Sequence, residues 1–151
     1  MKPLIVLLFS FTISVFLIKI IKKEYDIELS ARIAMAIMLL FTAIGHFVFT
    51  KGMSMMIPSF IPAKESFVYL TGIIEILLAI GLLVPKLQYL SGWGLIVFLA
   101  LMLPANVYAA MNNLNYQTGT LDGKGITYLW FRIPLQILFI IWTYMCVIRN
   151  A

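Results

Sequence analysis

Five apolar runs dominate this chain, at residues 3–21, 31–50, 67–84, 89–110 and 127–148. Each comes close to the roughly 20 residues that carry a helix across about 30 Å of hydrocarbon. Inside hydrocarbon every backbone N–H and C=O must find its partner within the protein, so each run is expected to be a helix. The connectors differ in character. Residues 22–30 are charged, 51–66 are rich in Met and Pro, 85–87 make a tight turn, and 111–126 are polar with Asn, Gly and Thr. The pattern predicts an all-α polytopic membrane protein, one membrane domain over residues 1–151, with Ser30 as N-cap of the second helix and Pro85 ending the third.

Composition agrees. Only 11% of the residues are charged and 63% are hydrophobic, too few charges to clothe a soluble domain of this length. The net charge of +5 comes from single Lys and Arg residues at helix ends. Such placement reads as topology signals beside anionic lipid and argues against a nucleic-acid partner. The single cysteine, Cys146, excludes an internal disulfide and a Cys-rich metal site. No small-x-small cleavage site follows the first run, which ends in Lys22 and Lys23, so it reads as a retained helix. Lys19, Lys22, Lys23 and Arg32 cluster after that run, which predicts an outward N-terminus and a cytoplasmic C-terminus.

Polar residues within the runs define a level. Glu75 is the one acidic residue of six well inside a helix, Arg132 is the base set furthest in, and His46 is the single histidine. Arg32 and Lys19 lie near enough to helix ends to snorkel. With a rise of 1.5 Å per residue, His46 sits roughly 6 Å before the end of the second helix and Glu75 roughly 12 Å into the third. Asn106 sits roughly 6 Å before the end of the fourth and Arg132 roughly 8 Å into the fifth. Antiparallel neighbours then place all four in the leaflet half opposite Lys22 and Lys23. Tyr128, Arg132 and Gln136 follow at i, i+4 and i+8 and make one stripe. Gly72, Glu75 and Ala79 share a face whose small residues admit a neighbour, as do Ala43 and His46. Pro104 removes a donor from the carbonyl of Ala100 and is expected to bend the fourth helix at that depth. The connector 53–62, broken by Pro58 and Pro62, is expected to form a short interfacial helix or re-entrant cover. Its methionines would give an adaptable wall.

At these residues the chain resembles the DoxX-like family of small bacterial integral membrane proteins. The resemblance is carried by Ala31-Arg32, Gly45-His46-Phe47, Met56-Ile57-Pro58 with Ile61-Pro62, and Val68-Tyr69-Leu70-Thr71-Gly72 with Glu75. It continues through Gly81-Leu82-Leu83 with Pro85, Pro104-Ala105-Asn106-Val107-Tyr108, and Arg132 with Pro134-Leu135-Gln136. It covers about residues 31–148 and implies a four-helix core, to which the first run adds a helix. The location it implies is the bacterial cytoplasmic (inner) membrane, and the setting a membrane redox system.

Two functions follow. In the first, His46, Glu75, Asn106, Tyr128, Arg132 and Gln136 line a pocket for a small amphipathic molecule, a quinone or a lipid. Arg132 and Gln136 donate to its oxygens, Glu75 fixes Arg132 and His46, and a membrane partner protein supplies the redox centre. In the second, the chain is itself an enzyme of isomerase type in which His46 and Glu75 are catalytic and move a proton. A Glu75–Arg132 ion pair that only locks the bundle is the structural alternative. One His and one Glu are too few ligands to assign a metal, and haem on His46 lacks a second axial candidate other than Met. Gly and Ala on several helices would permit a homo-oligomer.

Overall fold

The computed structural model describes residues 2–149. The chain runs as α1 (Lys2–Lys22), α2 (Ile27–Val48), a short α3 (Thr50–Ser54), α4 (Lys64–Leu83), α5 (Gln88–Met111) and α6 (Ile126–Thr143), which continues as a π-helical turn, Tyr144–Ile148. Among the described residues, five helices are long and apolar enough to cross a membrane, counting α6 with its π-helical turn as one. The protein is therefore an all-α polytopic membrane protein.

The order of packing follows from where the small side chains lie. Lipid tails are as apolar as leucine, so helices in a bilayer gain most from close fit and interhelical hydrogen bonds. The most deeply packed helix is α2. It buries Ser30, Ala31, Ala34, Met35, Ala36, Met38, Leu39 and Ala43, and lies against α1 on one side and α4 on the other. The face of α1 turned inward is Leu7, Ser10, Ser14 and Ile18, spaced for one side of a helix. Leu7 is fully buried in the shared core, and Phe11 meets Trp142 edge-on with ring centroids 5.1 Å apart. The first helix is thus packed into the bundle as well as anchored in lipid. The opposite faces carry exposed Ile, Leu and Phe along every long helix, as a lipid solvent requires.

Several boundaries differ from the sequence reading. The N-cap of α2 is Asp26, four residues earlier than Ser30. The Asp26 carboxylate accepts from the N–H of Leu29 at 3.0 Å, while the Ser30 hydroxyl donates to the Asp26 carbonyl at 2.7 Å from inside the first turn. An Asp at that position supplies both the cap acceptor and a charge suited to a helix start, so the helix begins before the apolar run does. The run to Thr50 is also divided. The backbone breaks at Phe49, and Thr50 opens α3 with its hydroxyl turned back to the carbonyls of His46 and Phe47 at 2.7 and 3.1 Å. Helix α5 continues through Pro104 to Met111.

The ends of α2 and α4 also meet closely. A Cβ added at Gly72 would lie 2.9 Å from Cβ of His46 and 3.2 Å from the Phe47 ring. Glycine is what lets α4 approach α2 at the level of the histidine.

Candidate functional site

The structure divides the predicted polar level into neighbouring groups. The first is centred on His46 and Glu75. Nε2 of His46 lies 3.5 Å from Oε2 of Glu75, and the glutamate is 7% exposed. The other ring nitrogen, Nδ1, faces the Val68 carbonyl at 3.2 Å and the Thr71 hydroxyl at 3.0 Å. Thr71 donates its own proton to the Val68 carbonyl at 2.8 Å. Two oxygens therefore stand ready to accept at Nδ1, which selects the Nδ1–H tautomer and leaves Nε2 directed at the carboxyl. Oε2 of Glu75 is buried with no hydrogen-bond partner. The nearby Thr42 hydroxyl donates to the Leu39 carbonyl at 2.9 Å, and the Arg132 charge acts on the carboxyl from further off.

The second group is a narrow crevice, open on one side, with enclosed room of about 20 Å³. Asn106 of α5 and Tyr128 and Arg132 of α6 line it, together with Lys124 and Gly125 just before α6 and Tyr116 of the preceding loop. Arg132 donates to the Tyr128 hydroxyl at 2.9 Å across one helical turn, and its guanidinium stands over that ring, 5.6 Å from the centroid. Gln136 belongs to a third grouping. It is buried, its side-chain amide donates to the carbonyl of Leu99 in α5, and its Oε1 has no partner. Leu99 directly precedes Ala100, whose carbonyl Pro104 leaves without its helical donor.

Two expectations change here. The side chain that faces Glu75 within 4.0 Å is His46, and Arg132 pairs with Tyr128 instead. Arg132 and Tyr128 are four apart on one helix, whereas Glu75 lies on another, so the local partner takes the guanidinium. A structural lock built on Glu75 and Arg132 accordingly lacks its contact. The second change concerns Arg32, which does not simply reach for the interface. It donates to Gln88 at the start of α5, beside the Trp142 indole, which donates to the Ala31 carbonyl at 3.1 Å. These contacts tie the opposite end of the bundle.

The cover is also composed differently. Met56 of the 51–66 connector lines the crevice as expected, but the 111–126 loop contributes Leu114, Tyr116, Lys124 and Gly125. The loop folds on itself through the Asn115–Thr120 bridge and onto α3, where Tyr116 meets Phe49 edge-on at 6.3 Å. Gly52 of α3 lies so close to the Tyr116 carbonyl that no Cβ fits between them. The two glycines, Gly52 and Gly125, were the sequence signal for this closure. Gly125 holds φ +61° immediately before α6, a backbone conformation glycine adopts without strain. Among the described residues, no three His, Cys, Asp or Glu side chains gather to hold a metal ion.

A family model described as "Domain of unknown function (DUF8561)" matches residues 35–147. The match takes in all six predicted site residues and leaves out α1, and the chain belongs to that family. No curated protein and no solved structure matches the chain.

Proposed function

We propose that this member of the DUF8561 family binds a small amphipathic molecule at the polar level of α2, α4, α5 and α6. One observation supports the reading above the others: Asn106, Tyr128 and Arg132, from two different spans, meet in a single crevice. Polar and ionisable groups inside a membrane bundle are costly and mark functional sites by default, and a crevice lined by a few polar groups on an apolar wall is the usual form of a small-molecule site. The ligand class is a quinone or a lipid. With the DoxX-like motifs, the reading extends to an accessory subunit of a redox system in a bacterial cytoplasmic membrane, whose partner protein holds the redox centre.

The test is mass spectrometry of molecules extracted from gently solubilised protein. A quinone or lipid retained by the wild type and lost in Arg132→Ala supports the reading. Recovery of the same molecules from both proteins overturns it.

A second reading rests on the 3.5 Å approach of His46 to Glu75. A carboxyl and an imidazole sharing one proton are equipped for transfer to and from an apolar substrate. Turnover of an isomerisable membrane substrate, abolished by Glu75→Gln in folded protein, would favour it over the binding role.

A further inference from the structure

The charge of the crevice narrows its ligand. Its lining includes two cations, Arg132 and Lys124, and no carboxylate. Among the described residues neither cation has an acidic side chain within 4.0 Å. The loop's own acid, Asp122, takes the Thr120 hydroxyl and lies outside the lining. Arg132 spends one donor on Tyr128, and a guanidinium carries five. A half-buried arginine in an apolar span, with donors to spare and the nearest spanning carboxyl turned to His46, lacks a direct anionic partner where one is most needed. Asn106 adds a further polar group to the wall.

Size points the same way. Ligand sites for whole small molecules span about 300–1,000 Å³, whereas the enclosed room of this crevice is about 20 Å³. It suits a headgroup better than a complete ring system with its tail. Met56, Ala109 and Leu114 form the apolar part of the wall, and the 80% exposed Trp130 marks the adjoining lipid-facing surface of α6.

We propose that the crevice receives an anionic headgroup, with carboxylate or phosphate oxygens held between Arg132 and Lys124 and the apolar tail left in the bilayer. The inference rests on the binding role set out above and specifies its ligand. Oxyanions match a guanidinium fork with paired, charge-assisted hydrogen bonds, and the ammonium of Lys124 at the exposed mouth adds a point charge.

The experiment uses the full chain in nanodiscs of phosphatidylcholine, with and without a minor fraction of phosphatidylglycerol, read by native mass spectrometry. Wild type is expected to retain phosphatidylglycerol over phosphatidylcholine. Arg132→Gln and Lys124→Gln should each lower that preference, by about tenfold for the arginine. Lys86→Gln, at the other end of the bundle, should leave it unchanged. Lys124 is exposed outside the spans, so its variant keeps the test valid if Arg132→Gln fails to fold. Inorganic phosphate, added to the discs that contain phosphatidylglycerol, separates the sources. Displacement of the bound lipid by millimolar phosphate identifies a soluble oxyanion site on the same residues, and resistance to it identifies a lipid. Equal retention of both lipids, or a preference indifferent to Arg132 and Lys124, overturns the proposal. If a neutral quinone binds in an Arg132-dependent way while phosphatidylglycerol does not, the anionic headgroup falls and the binding role stands. If neither binds, both fall.

Discussion

Nε2 of His46 and Oε2 of Glu75 lie 3.5 Å apart, one from α2 and one from α4, with the imidazole turned by Val68 and Thr71 so that its free nitrogen faces the acid. The pair accommodates one proton in either arrangement, imidazolium with carboxylate or imidazole with carboxylic acid, and each keeps the buried site electrically balanced. The carboxyl thus has a partner that does not depend on Arg132. Arg132 is left for the crevice, and the two halves of the polar level carry different chemistry.

This division is measurable by double-mutant cycles. His46→Gln and Glu75→Gln are each expected to destabilise the bundle, and their coupling should be about 1 kcal/mol. The Glu75–Arg132 coupling should be clearly smaller, because no contact within 4.0 Å joins them. Unfolding titrations in bicelles provide the measurement. A Glu75–Arg132 coupling equal to or above that of His46–Glu75 would contradict the geometry.

Gly72 sets how closely α4 approaches the histidine. A Cβ there would stand 2.9 Å from Cβ of His46, so Gly72→Ala is expected to cost about 1–3 kcal/mol through overpacking, and Gly72→Val more. The same unfolding titration reads the loss. A neutral Gly72→Val would show that the helices are free to part at this level.

Asp26 provides a prediction in pH. The N–H of Leu29 first, and Lys22 at 3.1 Å second, hold its carboxyl below the ordinary aspartate value. A lowered value means that the stabilisation is fully present above the unfolded pKa and is lost as pH falls through the folded one. Asp26→Ala should therefore cost about 1 kcal/mol at neutral pH. Its deficit against wild type should shrink as the pH is taken below about 4. Asp26→Asn, which keeps a cap acceptor, should cost less at neutral pH. Thermal unfolding of the three proteins across pH is the check, and a deficit that grows in acid would reverse the sign.

The cover depends on Gly52. Since its Cβ would meet the Tyr116 carbonyl, Gly52→Ala is expected to lift the 111–126 loop from α3. Thiol labelling of Asn106→Cys, in a Cys146→Ser background, should then be several-fold faster than with Gly52 intact. Unchanged labelling would show that the loop does not restrict access to the crevice.

Much of the architecture was legible in order of residues. Five runs of spanning length are dictated by the bilayer thickness and by the demand that backbone polar groups be satisfied in hydrocarbon. Counting residues along antiparallel runs led to the expectation of His46, Glu75, Asn106 and Arg132 at one level, and helical spacing alone joined Tyr128 to Arg132. The helix starts were less legible. Asp26 lies in a charged connector that the apolar pattern leaves out, yet cap chemistry begins the helix there.

What the sequence determined by itself is the apolar, all-helical character of the chain, the number of helices long enough to span, and the position of each polar side chain along its helix, because these depend on length, hydropathy and rise per residue. Only the tertiary structure decided the partners. Depth does not set a helix's rotation about its own axis or its distance from a neighbour; those follow from contacts such as Gly72 on His46 and Gly52 on Tyr116. They give Glu75 to His46, Arg132 to Tyr128 and Gln136 to the Leu99 carbonyl, and they bring Lys124 from a loop to the mouth of the crevice.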